Sequence, residues 1–143
     1  MSMKSYLADV NVWVAIAHDA HMHHERAREW FHRLDRDQAW FCRFTQMGLL
    51  RLLTNYKVMG DRACTQRGSW AIVDRFNRNG RVQYLDEPPG VTVAFRSLTQ
   101  RNLRGNNSWS DAYIGAVSQC SGLTVATFDR GFLALGVEAL ILA

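Results

Sequence analysis

Three aspartates have the side-chain type and the setting to act together. Asp9 lies within Tyr6-Leu7-Ala8-Asp9-Val10-Asn11-Val12-Trp13, apolar on both sides of one carboxylate, and a second apolar block, Val14-Ala15-Ile16-Ala17, follows. A short apolar run of this kind reads as a buried strand with Asp9 at or just past its end. An isolated carboxylate is expensive to bury there and needs a cation, hydrogen-bond donors or an edge open to water. Asp111 is expected in the first turn of a helix, and Asp129 just past a strand that ends at Thr127. In a parallel sheet the carboxyl ends of the strands share one side, and ligands sit in the crevice beyond them. Aspartates far apart in sequence can converge there, and several together cannot all stay ionised without a counter-charge. Mg²⁺, or Mn²⁺ in its place, supplies that charge, keeps part of its water shell and suits a site with few protein ligands and a phosphate substrate. Taken singly, Asp111 and Asp129 also read as helix caps or first-turn residues. Asp9, with apolar flanks, does not.

The elements that must position these residues alternate between strand and helix. After the first strand comes a polar turn, His18-Asp19-Ala20-His21-Met22-His23-His24. A helix follows from about His24 to Leu34, with Ala27, Trp30, Phe31 and Leu34 on its inward face. Ala39-Trp40-Phe41-Cys42 reads as a second strand, and Thr45 as the N-cap of a helix from Gln46 to Asn55. A linker through Gly60 leads to a helix over roughly Cys64–Phe76, whose inward face is expected to be Trp70, Val73 and Phe76. Val82–Leu85 reads as a third strand, followed by a helix from about Val91 to Gln100 and a polar loop over 101–108 with the composition of a mobile segment. A helix over about Ser110–Cys120, a strand Leu123–Thr127, a helical turn near Asp129–Leu135 and a last strand within Glu138–Leu142 complete the chain. The class is α/β: one domain over residues 1–143, with a central parallel sheet flanked by helices on both faces.

At 143 residues and 16.4 kDa the chain is long enough for one domain with a sizeable core. It has no apolar stretch long enough to span a membrane and no signal-peptide pattern at its start, so a soluble cytoplasmic protein is expected. Cys42, Cys64 and Cys120 are far apart and odd in number, which argues against a disulfide framework or a zinc ribbon. The net charge is +4, and all but two of the 17 basic residues (Lys4 and Lys57) are arginine. Arginine forks grip phosphate bidentately and stack on bases, which favours RNA as a partner; solvated arginines are the equal alternative.

Five pieces in order resemble the PIN-domain ribonucleases, specifically the VapC-type toxins of bacterial toxin–antitoxin pairs. They are Leu7-Ala8-Asp9-Val10-Asn11-Val12-Trp13, the spaced His21, His24, Ala27 and Trp30, Thr45-Gln46 through Asn55, Ser110-Asp111-Ala112, and Thr127-Phe128-Asp129-Arg130-Gly131-Phe132. No single piece is specific, but together they cover almost the whole chain. The resemblance implies an endoribonuclease that cleaves structured RNA, a transfer RNA or a ribosomal RNA loop, by metal-activated water and without a covalent enzyme intermediate. It implies Asp9, Asp111 and Asp129 as metal ligands, Asn11 hydrogen-bonded near them, and Thr127 orienting Asp129. It also implies a small cognate antitoxin, a homodimer, and contact with operator DNA only through the antitoxin.

The chain departs from the family at one point. Many PIN nucleases carry a glutamate at the start of the helix after the second strand, where this chain has Thr45-Gln46-Met47. Gln46 is therefore the expected fourth site residue, a neutral one, with Asp86 or Glu87 as acidic substitutes. Two other functions stay open: a housekeeping PIN nuclease in RNA processing, and a weakly catalytic module acting mainly in a complex of antitoxin and operator DNA. The His21, His23 and His24 group lacks the pattern of a zinc site and reads as capping and surface. Arg51, alone among leucines, reads either as a residue reaching RNA or the acidic site or as a salt-bridge anchor. Arg96, Arg101 and Arg104 flank the polar loop as candidate phosphate grips or as a solvated helix end. Trp109 reads as core packing in preference to a base-stacking platform.

Overall fold

The computed structural model describes residues 4–36, 38–101 and 108–142. Most of the polar loop, including Arg104, lies outside the described residues. Five strands, β1 (Tyr6–Ala8), β2 (Ala39–Phe41), β3 (Val82–Tyr84), β4 (Thr124–Thr127) and β5 (Ala139–Ile141), form one sheet in the order β3-β2-β1-β4-β5. Every pairing is parallel. The strands are short and largely buried, as expected of a sheet covered on both faces. From β1 the chain first winds outward through β2 and β3. It then returns to place β4 on the other side of β1, so the direction of winding reverses between β1 and β4. That reversal opens a crevice at the carboxyl ends of the two central strands.

Successive strand residues face opposite ways. Ala8 and Ala126 therefore belong to one core layer, while their neighbours Leu7 and Val125 belong to the other. The first layer is covered by α1 (Val10–Ala17), α2 (His24–His32), α3 (Arg43–Leu53) and α5 (Gln66–Asn77). The second is covered by α6 (Val91–Thr99), α7 (Ser108–Ser121) and α8 (Gly131–Ala134). A single-turn helix, α4 (Tyr56–Met59), and a 3₁₀ turn at Gly60–Arg62 occupy what the sequence presents as a linker.

The apolar block after Asp9 is a helix. Asp9 takes an extended backbone and its side chain accepts the Val10 N–H, so the chain turns from β1 straight into α1. This helix buries Val12, Trp13, Val14 and Ala15, and so carries almost no polar stripe to mark its period. Trp13 is the centre of the first layer. Its ring stacks on Phe41 with centroids 3.8 Å apart and meets Phe76 edge-on at 5.0 Å and Phe31 at 6.5 Å. Its indole N–H has no hydrogen-bond partner among the described residues, so apolar and aromatic packing alone stabilise it there.

Two local expectations change. The third main helix begins at Arg43, with Cys42 as N-cap, and Thr45 lies inside the first turn, where its hydroxyl accepts the Cys42 N–H at 3.0 Å. Trp70 is 46% exposed, and the buried side of α5 is Ser69 and Val73. No helix among the described residues is long and apolar enough to cross a membrane, and all three cysteines are free. Trp13→Ala should lower stability by about 3–5 kcal/mol, measured by urea unfolding. A loss near zero would mean that the aromatic stack is not the centre of this layer.

Candidate functional site

Asp9 is 7% exposed at the carboxyl end of β1. One carboxylate oxygen accepts the Val10 N–H at 2.7 Å, and the other accepts the Thr127 hydroxyl at 2.7 Å. Thr127 ends β4, directly across the winding reversal, and is fully buried. Its oxygen also accepts the Asp129 N–H at 3.0 Å and faces the Asn11 amide nitrogen at 3.5 Å. One hydroxyl thus ties the first aspartate to the backbone of the third. Asn11 completes the link through its Oδ1, which faces the Phe128 N–H at 3.5 Å. The Asp129 carboxylate caps the next turn by accepting the Gly131 N–H at 2.8 Å.

Asp111 arrives from the other side. The helix α7 runs antiparallel to β4 and so presents its first turn at the carboxyl ends of the strands, within hydrogen-bonding reach of the Asp129 carboxyl. The three expected acids therefore converge. Their crowding shows in their proton affinities. Burial, followed by the charges of Asp9 and Asp129, pushes Asp111 from the usual 3.8 up to about 7. Burial chiefly raises Asp9, against the lowering effect of the Thr127 and Val10 hydrogen bonds. None of the ion pairs between described residues involves these aspartates.

Asp9 and Asp111 line a cavity of about 310 Å³ whose far wall is one face of α3, Phe44, Met47, Gly48, Arg51 and Leu52, together with Asn55, the N-cap of α4. These residues recur at helical spacing, a face that the leucine-rich sequence masks. Gly48 is needed for the close approach of α1, because a Cβ there would lie 2.5 Å from a methyl of Val10. Gln46 does not reach this wall. Two residues from Gly48, it points to the opposite side of the helix, is 5% exposed, and accepts from the Arg43 guanidinium at 2.6 Å. The expected fourth site residue is thus a structural partner of Arg43. Glu87 is also occupied elsewhere, accepting from the Tyr113 hydroxyl at 2.5 Å, and neither it nor Asp86 lines the cavity.

Other expected residues also have clear positions. Arg101 donates to the carbonyls of Ala134 and Leu135, holding the end of α8. Trp109 is 50% exposed and lines a shallow apolar groove beside the cavity with Phe44, Phe95 and Tyr113, so it is not core packing. His24 bonds the Ala15 carbonyl at 2.7 Å, and His23 stacks on Phe128 at 4.4 Å.

The aspartates offer hard oxygen donors only, with no thiolate or imidazole among them. Among the described residues no group of three or more His, Cys, Asp or Glu side chains stands close enough together to hold a metal ion by itself. Carboxylate oxygens alone suit Mg²⁺ or Mn²⁺, which retain waters and are held by one or two carboxylates plus substrate phosphate. They do not fit the closed tetrahedral site of structural zinc.

Residues 6–138 match the PIN domain family. Ribonuclease VapC41 of Mycobacterium tuberculosis is 34% identical over 143 residues, covering 96% of this chain and 98% of its own. Among solved structures, M. tuberculosis VapC20, a sarcin–ricin-loop-cleaving toxin, superposes with a TM-score of 0.71 at 19% identity, covering 95% of this chain and 98% of its own. VapBC2 from Rickettsia felis, solved bound to a DNA fragment from its promoter, superposes at 0.64 with 14% identity, covering 94% and 96%. At those identities the two structures share the fold.

The raised affinity of Asp111 for protons has a consequence for stability. Its folded-state value lies above the unfolded one, so its contribution is complete below about pH 4 and is lost as the pH rises through about 7. In EDTA, Asp111→Asn should therefore raise the melting temperature relative to wild type, by more at about pH 8 than at about pH 5. At the higher pH, Mg²⁺ should stabilise wild type more than the variant. A difference independent of both pH and Mg²⁺ would mean that the aspartates do not share a charged site.

Proposed function

The chain belongs to the PIN-domain family, with VapC ribonucleases among its relatives, and on that premise we propose that it is a divalent-metal-dependent endoribonuclease, the toxin of a toxin–antitoxin pair. The observation that carries the reading is the convergence of Asp9, Asp111 and Asp129 at the winding reversal, with no described cation paired to them. Asp9, Asp111 and Asp129 are the ligands of one Mg²⁺ or Mn²⁺, directly or through water. The ion, when bound, supplies Lewis acidity and lowers the pKa of water.

The chain's own groups do the positioning. Thr127 fixes the Asp9 carboxylate and the Asp129 backbone through one hydroxyl, which limits reorganisation when charge develops on the phosphate. Asn11 supports both from the first turn of α1. The open cavity between Asp111 and α3 admits a strand, with the scissile phosphate over the aspartates. The substrate is structured RNA, a transfer RNA or a ribosomal RNA loop. A small antitoxin silences the enzyme in the cytoplasm, the active form is a homodimer, and DNA is met only through the antitoxin.

A second reading, a weakly catalytic module working mainly with its antitoxin on operator DNA, draws support from α3, which brings no carboxylate to the cavity. Total RNA incubated with antitoxin-free protein separates the two. Discrete fragments should appear with Mg²⁺ or Mn²⁺ and vanish in EDTA and in Asp9→Ala, Asp111→Ala and Asp129→Ala, each losing at least about 100-fold in rate. Full activity in any two of these variants, or no cleavage by the folded wild-type protein, would count against the nuclease.

A further inference from the structure

The cavity wall opposite the aspartates has an unexplained composition. Among the side chains lining this cavity, Arg51 is the one cation. It is exposed, and its guanidinium has neither a hydrogen bond nor an ion pair among the described residues, although Asp9 and Asp111 line the same cavity. One turn further on, Asn55 faces the same space. Its Oδ1 accepts the Lys57 N–H at 2.9 Å, which leaves its NH₂ without a partner among the described residues. Arg51 stands in the last turn of α3 and Asn55 just past its end, as the N-cap of α4, and both line the same cavity. The wall is therefore a short ladder of unused donors facing a floor of acids.

Charge balance says what this ladder is for. Three carboxylates around one divalent ion leave one negative charge, which repels the phosphodiester approaching that ion. A guanidinium on the facing wall cancels it. An Arg placed to neutralise the aspartates directly would pair with them; this one instead leaves its planar fork open, the geometry that binds two phosphate oxygens at once.

We propose that Arg51, assisted by Asn55, grips an RNA backbone phosphate next to the scissile one and lays the strand across the aspartates. The proposal rests on the nuclease reading above. Arg51 is a substrate-binding residue here, and its contact is independent of sequence, because a phosphate carries no base identity. Asn55 adds a neutral donor at the start of α4, which guides the strand without adding charge.

The test is the salt dependence of binding, which counts phosphate contacts. A fluorescein-labelled single-stranded oligoribonucleotide of mixed sequence is titrated with protein carrying Asp9→Asn to stop turnover, in Mg²⁺ and at several salt concentrations. Adding Arg51→Gln should weaken binding roughly tenfold and reduce the slope of log affinity against log salt by about 0.7, the single-strand value for one contact. Arg51→Lys should keep most of the slope, since it keeps the charge, while losing part of the affinity with the fork. Arg75→Gln, on α5 away from the cavity, should leave the slope unchanged.

An unchanged slope in Arg51→Gln, from protein that unfolds at the wild-type temperature, would overturn the assignment. Equal slope losses in Arg51→Gln and Arg75→Gln would also overturn it, by showing a diffuse field instead of a contact. Failure of the nuclease reading is distinguishable: wild-type protein would then leave total RNA intact in Mg²⁺ and Mn²⁺, whatever Arg51 does to the slope.

Discussion

The hydrogen bond from the Thr127 hydroxyl to the Asp9 carboxylate joins the two central strands at the point where the winding of the sheet reverses. A carboxylate 7% exposed and flanked by apolar residues is stable only if its oxygens are occupied. Here one oxygen is taken by the start of α1 and the other by the end of β4. The same interaction begins the helix that drives Trp13 into the core and sets the separation between the first and third aspartates. Replacing the Thr127 hydroxyl by a methyl would take away the partner of one buried Asp9 oxygen and of the Asp129 N–H. Packing and chemistry depend on one side chain there.

What can be read from the sequence follows from which residues carry a periodic or chemical signal. The five strands and the convergence of the aspartates follow from short apolar runs alternating with amphipathic segments, because a parallel sheet leaves its strand ends on one side. The helix after Asp9 leaves no such trace: Val10–Ala17 is buried over most of its surface, and a segment apolar on all sides carries no period. The start of α3 is ambiguous for a different reason. Thr45 satisfies the first turn from within it, not from the N-cap, and the two positions look alike in sequence. That three-residue difference in the helix start goes with the position of Gln46, since a turn of about 200° separates it from Gly48. Helical spacing with Val73 and Phe76 points Trp70 inward, and a large aromatic such as Trp109 reads as core, yet both are about half exposed.

The cavity wall on α3 is the part of the site that residue types alone did not reveal. Phe44, Gly48, Arg51 and Asn55 share a face only once the register of the helix is known. Gly48 then has two roles. It lets α1 pack against α3 with Val10 where a side chain would stand, and it leaves the facing wall without a carboxylate. Any side chain introduced at that position meets Val10 first, so the wall cannot gain a carboxylate there without moving α1.

A wall that offers a guanidinium where an acid would add a ligand changes how metal and substrate depend on each other. Under the nuclease reading the aspartates would be the protein's whole contribution to a divalent ion, and the ion would have to compete for carboxylate oxygens that hydrogen bonds already engage. A strand gripped on the facing wall would set its scissile phosphate over the aspartates, so RNA would strengthen metal binding and by linkage the metal would strengthen RNA binding to the same degree. Under the nuclease reading this coupling makes assembly of the competent site conditional on RNA. A chain with a fourth carboxylate would bind the metal ahead of its substrate; under this reading the present chain would gain its full ligand set only when the strand arrives.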